Sequence, residues 1–342
     1  MRVSFGEEFD VPDGYLNTAS IGIPSVAVGE AVTSAVAGWR AGAGRAGEYD
    51  EPVARARAGF ADLVGVGADR VAIGPAVSAL VGLVAAALPA GARVLVAGGE
   101  FTSVTWPFAA QAERGVSVTE VDLAQVGPRA GEFDLVAVST VQSADGRLVD
   151  LDALRAARAG GTRVVLDATQ SLGWLDADLS WADAVVAAGY KWLLSPRGVA
   201  WMAIHPELAA APSAAGWYAG ADRWSDVYGL PMTLAADARA LDTSPAWYCH
   251  VGAAVALPWL AGLDRAAVHA HCVGLADAFR AGLGMEPAGS AIVSVRREGA
   301  GERLAAAGVV SAARAGAARL AFHLYNTEAD VARALEALQP SG

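Results

Sequence analysis

The stretch AAGYKWLLSPRG contains Lys191, the one lysine in a chain of 342 residues whose other permanent cations are arginines. An amine inside so apolar a run is partly desolvated, and desolvation disfavours its charged form. That makes it a usable nucleophile toward an aldehyde near neutral pH. Asp167 closes the β-rich run RVVLDA and is followed by ATQ, ending in Gln170. A carboxylate placed there can hold a protonated aromatic nitrogen, the partner through which a ring-based cofactor becomes an electron sink. Lone lysines also arise by accident in arginine-biased chains, and a lone aspartate is as often a helix cap. The two together, both at strand ends, are what single them out.

The elements that must carry these groups alternate. Helical spacing covers roughly 24–40, 50–65, 77–88, 103–114 and 150–159, and the runs RVLVAG, VSVTEV, DLVAVS, RVVLDA, ADAVVAAG and GVAWMAI read as strands. Such alternation predicts a mostly parallel sheet covered by helices, with ligands at the carboxyl ends of its strands. In GPAVSAL the free N–H groups near Val77 and Ser78, with the Ser78 hydroxyl, form a phosphate cradle at a helix start. Phe101 in GEFTSV follows another strand, where its ring can stack on a flat cofactor. Gln142 and Ser143 of STVQSADG end a further strand and touch either a ligand or only a turn. The ligand these parts suit is pyridoxal phosphate.

After about residue 205 the pattern becomes irregular and aromatic. A long Ala- and Leu-rich helical stretch over about 250–282 follows, then strands near AIVSVR and RLAFHL and a helix from about 328 capped by Thr327. The reading divides the chain into an arm (1–20), a large α/β domain (21–250), a connecting long helix (251–284) and a small C-terminal α+β domain (285–342).

A net charge of −11 with no arginine cluster argues against a nucleic-acid partner. The acidic start MRVSFGEEFD and the lack of a long uncharged apolar run predict no secretion signal and no membrane span, hence a cytoplasmic protein. Cys249 and Cys272 make no disulfide framework. GAGRAG at 42–47 spells a dinucleotide fingerprint but follows a helical pattern instead of a strand. HAHC at 269–272 sets two histidines on different faces of a probable helix, which suits no metal site.

These residues resemble the class V aminotransferase fold of pyridoxal-phosphate enzymes, in the branch with cysteine desulfurases, kynureninases and isopenicillin N epimerase-like proteins. The likeness runs from YLNTASIG through DATQSLG and YKWLLSPRG to LYNTEADV, and the 167–170–191 spacing is its most specific element. It implies the aspartate aminotransferase-like fold (fold type I), with Lys191 as Schiff-base amine and acid/base and Asp167 as partner of the pyridine nitrogen. Gln170 becomes a donor to the ring oxygen, and Ser78 the phosphate-binding hydroxyl. Tyr190 stands where related enzymes often carry a phosphate-binding His, and Phe101 where they carry a ring-stacking His. Ser244 of DTSPAW matches a residue that reaches the partner subunit's phosphate, which implies a homodimer with shared active sites. Arg319 matches the arginine that grips the substrate carboxylate, with Asn17, Gln142 and Ser143 on the substrate side and Arg314 as a weaker candidate.

Two departures narrow the activity that the resemblance implies. The stretch VVSAARAGAARL carries no cysteine where desulfurases hold their catalytic one, so persulfide chemistry is not expected. Phe101 moves no protons, which leaves that task to Lys191. The implied function is Cα deprotonation of an α-amino acid, with β-elimination of the C–S lyase kind preferred. An aminotransferase, an epimerase and a non-catalytic cofactor-binding protein are the alternatives.

Overall fold

The computed structural model describes residues 1–339 and opens with a hairpin, β1 (Arg2–Ser4) and β2 (Glu7–Phe9). Helices α1 (Val26–Arg40) and α2 (Asp50–Val64) precede β3 (Val71–Gly74), α3 (Val77–Ala87), β4 (Arg93–Ala97) and α4 (Thr102–Ala109). Next come β5 (Ser117–Val121), α5 (Leu123–Arg129), β6 (Leu135–Ser139), α6 (Leu151–Ala159), β7 (Arg163–Asp167), β8 (Ala184–Ala188) and β9 (Ala200–Ile204). Helices α7 (Trp247–Ala261) and α8 (Arg265–Gly282) lead to β10 (Ile292–Val295), α9 (Ala300–Ala306), β11 (Ala312–Arg314), β12 (Ala317–Ala321) and α10 (Glu328–Leu338).

Strands β3 to β9 form one sheet in the order β3-β9-β8-β7-β6-β4-β5, in which only β9 runs against its neighbours. Strands of this sheet are apolar without alternation because both faces are covered. In β4, Val94 and Val96 pack on the side of α3 and α4, while Leu95 and Ala97 pack on the side of α2, α6 and α7. Strand β6 divides in the same way, with Leu135 and Ala137 on one side and Val136 and Val138 on the other. The carboxyl ends of β3, β4, β6, β7 and β8 therefore open on one edge.

The small unit is an antiparallel sheet, β10-β12-β11, packed on α8, α9 and α10 around Phe279, Leu304, Leu320 and Phe322. Thr327 caps α10 in a capping box with Asp330, whose carboxylate also accepts from the Thr327 N–H at 3.0 Å. The N-terminal segment is stitched to this unit. Tyr15 bridges to Val310, Asn17 bridges to Ala321, and Leu16 is buried in the same core.

The long connecting helix expected over 251–284 is two helices, α7 and α8, which meet at 95°. Gly262 ends the first, and Asp264 starts the second by accepting from the N–H groups of Ala266 and Ala267. The helix expected over 103–114 ends at Ala109 and gives way to a 3-10 turn at Ala112–Arg114. No single helix among the described residues is long and apolar enough to cross a membrane.

Candidate active site

Lys191 lies just past β8 and is buried, with its Nζ 5.4 Å from the ring centre of Phe101 and 5.7 Å from that of Tyr190. Burial pulls its pKa down from the usual lysine value to about 8; the charge of Asp167 opposes the fall, and Arg319, Arg314 and Arg197 add to it. Asp167 closes β7 and is also buried. Burial pushes its carboxyl up to about 6, restrained by bonds from Thr169 and by Lys191, while Glu100 raises it further. The Thr169 N–H donates to Asp167 Oδ1 at 2.8 Å, and the Thr169 hydroxyl accepts from the Ala188 N–H at 3.1 Å. One threonine thus fixes the carboxylate and ties it to the strand that leads to the lysine.

Both groups line a cavity of about 310 Å³, together with Val77, Ser78, Phe101, Ser143, Gln170, Tyr190 and Arg197. Helix α3 enters it uncapped, because its N-cap is Ala76 and no side chain satisfies its first N–H groups. Phe101 is the N-cap residue of α4 and keeps 47% of its surface exposed, a large fraction for an apolar ring beside a buried amine. Gln170 donates from Nε2 to Ala19 O at 3.0 Å and to Ser143 Oγ at 3.1 Å, while its Oε1 accepts from Trp192 Nε1 at 2.8 Å.

Arg319, on β12, reaches across from the small unit. It donates from Nη1 to the backbone oxygen and Oγ of Ser143 at 2.5 and 3.2 Å, and from Nη2 to Ser20 Oγ at 2.8 Å. None of these acceptors is a carboxylate, and Nε is buried without a partner. Burial and Arg314 pull its pKa down to about 10. Asn17, beside it on the bridge to Ala321, also buries an unpartnered oxygen, Oδ1. A guanidinium left in this state is ready for an anion.

Of the residues singled out above, Asn17, Arg314, Arg319, Gln142 and Ser244 do not line the cavity, although Arg319 donates to Ser143, which does. Gln142 donates from Nε2 to Glu100 Oε2 at 3.0 Å. Glu100 gathers the Ser139 N–H and hydroxyl and the Phe101 N–H as well, so it holds the ends of β4 and β6 together. Ser244 is exposed and outside its own chain's cavity. The preceding residues are pinned to β3 by Asp242, which accepts from the Ile73 N–H at 2.9 Å and pairs with Arg57 at 2.6 Å. Glu100, Ser20, Thr169 and Arg197 give no signal of their own in the sequence, although each sits inside one of the stretches GEFTSV, YLNTASIG, DATQSLG and YKWLLSPRG.

The class-V aminotransferase family model matches residues 33–298. The chain belongs to that family. A relative in Bacillus subtilis (strain 168), an uncharacterized aminotransferase YcbU, is 30% identical over 307 residues, covering 82% of this chain and 81% of that protein. Among solved structures, the cysteine desulfurase CsdA from Escherichia coli superposes with a TM-score of 0.83 at 20% identity, over 97% of this chain and 96% of that one. The cystine C-S lyase C-DES, in complex with its product cysteine persulfide, gives 0.82 at 19% identity over 95% and 97%. The fold is that of pyridoxal-phosphate-dependent transferases, and this member of the class-V aminotransferase family is a pyridoxal-phosphate-dependent enzyme. Its donor set fits that cofactor. The cavity is of ligand size, an uncapped helix start suits a phosphate, and amine, carboxylate and aromatic face stand around the space between.

Proposed function

We propose that the cavity holds pyridoxal phosphate bound covalently to Lys191 Nζ and that the enzyme removes the Cα proton of an α-amino acid. The observation that carries this is the meeting of the one lysine, the buried Asp167 and the uncapped start of α3 in one cavity. Val77 and Ser78 hold the phosphate, Phe101 covers one face of the ring, and Gln170 and Tyr190 stand at its edge. Asp167 keeps the ring nitrogen protonated. When bound, the cofactor supplies an electron sink for the Cα–H bond pair. Arg319 grips the substrate carboxylate, with Asn17 and Ser143 beside it. With the cofactor bound, the Lys191 amine would take the Cα proton, and a pKa near 8 leaves a large neutral fraction for that task at physiological pH.

β-Elimination is the preferred outcome: the Cα–H and Cβ–S bonds break, the sulfur leaves with its electron pair, and the proton held by Lys191 is available to it. The likeness to a cystine C-S lyase supports this reading. So does the β11–β12 hairpin, which closes through Ala315 (φ 46°) and Gly316 (φ 74°). A turn this tight leaves no loop to carry a thiol to the substrate, and both cysteines lie in α7 and α8. Transamination is the second reading, favoured by the relative named an aminotransferase. We also assign Ser244 to the cavity of a second copy, in a homodimer, because its family counterpart reaches the partner's phosphate and here it is exposed and does not line its own chain's cavity.

A panel of amino acids incubated with the holoenzyme, with and without a keto-acid acceptor, tests the reaction. Keto acid and ammonia formed without acceptor mean elimination, and amino transfer that requires acceptor means transamination. Inverted Cα configuration means epimerisation. Bound cofactor with no turnover on any substrate would leave a binding protein in place of an enzymatic reading of the site.

A further inference from the structure

Three segments leave the sheet at one corner. Ala200 of β9 pairs with Gly74 of β3 on one side and with Ala188 of β8 on the other. The residues that follow β3 (Pro75 to Ser78), those that follow β8 (Tyr190 and Lys191) and those that precede β9 (Arg197 and Gly198) therefore emerge next to one another, and all line the same cavity. The chain is fixed there. The Arg197 carbonyl accepts from Cys249 Sγ at 3.2 Å, and Gly198 has φ +117°, a conformation that glycine takes without strain. The Arg197 guanidinium carbon stands 4.9 Å from the ring centre of Tyr190, and no carboxylate of the described residues pairs with it.

Charge decides what this cation is for. A phosphate monoester carries roughly −1.5 to −2 near neutral pH, whereas an uncapped helix start offers about half a positive charge. Ser78 and Tyr190 are neutral, and Lys191 is committed to its covalent bond. The corner is short of about one positive charge, by that reckoning. We propose that Arg197 is the in-chain countercharge of the cofactor's phosphate, held beside the start of α3 by its contact with Tyr190. This rests on the reading that Lys191 carries pyridoxal phosphate.

The test compares pyridoxal phosphate with pyridoxal, which lacks the phosphate, by absorbance titration of apoprotein prepared from the holoenzyme. Arg197→Gln should weaken pyridoxal phosphate on the order of ten- to a hundredfold, as loss of a charge-assisted hydrogen bond does, and leave pyridoxal unchanged. Arg197→Lys, which keeps the charge, should recover much of the loss and guards against a glutamine variant that folds poorly. Inorganic phosphate should compete with pyridoxal phosphate on wild type and less well on Arg197→Gln. Equal loss of both ligands, or loss of neither, overturns the assignment. If borohydride fixes no pyridoxal phosphate on Lys191 of wild type, the parent reading fails, and that result is separate from the behaviour of the variants.

Discussion

Because the chain has a single lysine, the ionisation of its buried amine can be read without interference from any other lysine. Apoprotein treated with ¹³C-formaldehyde and a reductant carries label on Lys191 and on the α-amino group, and Lys191→Ala removes the first signal and so assigns it. The site lowers the lysine from 10.5 to about 8. That shift corresponds to roughly 3 kcal/mol in favour of the neutral amine, and it makes about a quarter of the amine neutral at pH 7.5 where an ordinary lysine is neutral to about a tenth of a percent. The NMR titration midpoint should lie about two units below that of dimethylated free lysine. Asp167→Asn should move it lower still, because the Asp167 charge is the one influence that holds the ammonium form. A wild-type midpoint near that of free lysine, or a midpoint that rises in the Asn variant, would refute the account of how this amine is tuned.

Asp167→Asn should also stabilise the apoprotein at pH 7.5 and not at pH 3.5. Its folded-state pKa of about 6 lies above the unfolded 3.8, so the stability it contributes is full below 3.8 and is lost as pH rises through 6. The loss is up to about 3 kcal/mol, measurable by urea unfolding at the two pH values, and equal stability at pH 7.5 would mean that the charge is compensated. Gly22→Ala should release cofactor, because an added Cβ would overlap the Lys191 carbonyl oxygen while the Gly22 N–H donates to Tyr190 O at 2.9 Å. Retention of full cofactor absorbance through gel filtration would show that the lysine loop yields without consequence. Mixing Lys191→Ala with a bulky Ser244 variant under subunit exchange should restore activity at one site per heterodimer; exchange without recovery would confine each site to one chain.

What the sequence made legible was the large sheet and its edge. The runs RVLVA, LVAVS, RVVLD and AVVAA can only be strands covered on both sides, and that places Asp167 and Lys191 at the same edge. Strand β3 shows no period because its four residues end on Gly74 and run directly into Pro75. The break between α7 and α8 was present as Gly262 and Asp264, a stop followed by a start, but uniform Ala and Leu content masked it. Gln142 was placed at the right strand end, yet its amide turns to Glu100, a buried carboxylate that no spacing rule reveals. Arg197 was in view beside Lys191, and only the antiparallel return of β9 brings it to the phosphate corner.

The N-terminal segment carries a consequence for how specificity can change. Between residues 17 and 22 it bridges β12 through Asn17, accepts from Gln170 at Ala19, accepts from Arg319 at Ser20 and grips the lysine loop at Gly22. This segment and Arg319 both fall outside residues 33–298, the span matched by the family model, whereas Ser78, Asp167, Lys191 and Arg197 fall inside it. On the proposed reading, the groups assigned to the cofactor thus lie inside that span, while Arg319 and Asn17, assigned to the substrate, lie outside it, and Arg319 meets Ser143 of the inner part. Diversification confined to Asn17, Ser20 and residues 312–325, with Gly22 kept because a Cβ there would meet the Lys191 carbonyl, would explore new substrates while sparing the lysine loop, and it is in those short stretches that relatives with different activities should be compared.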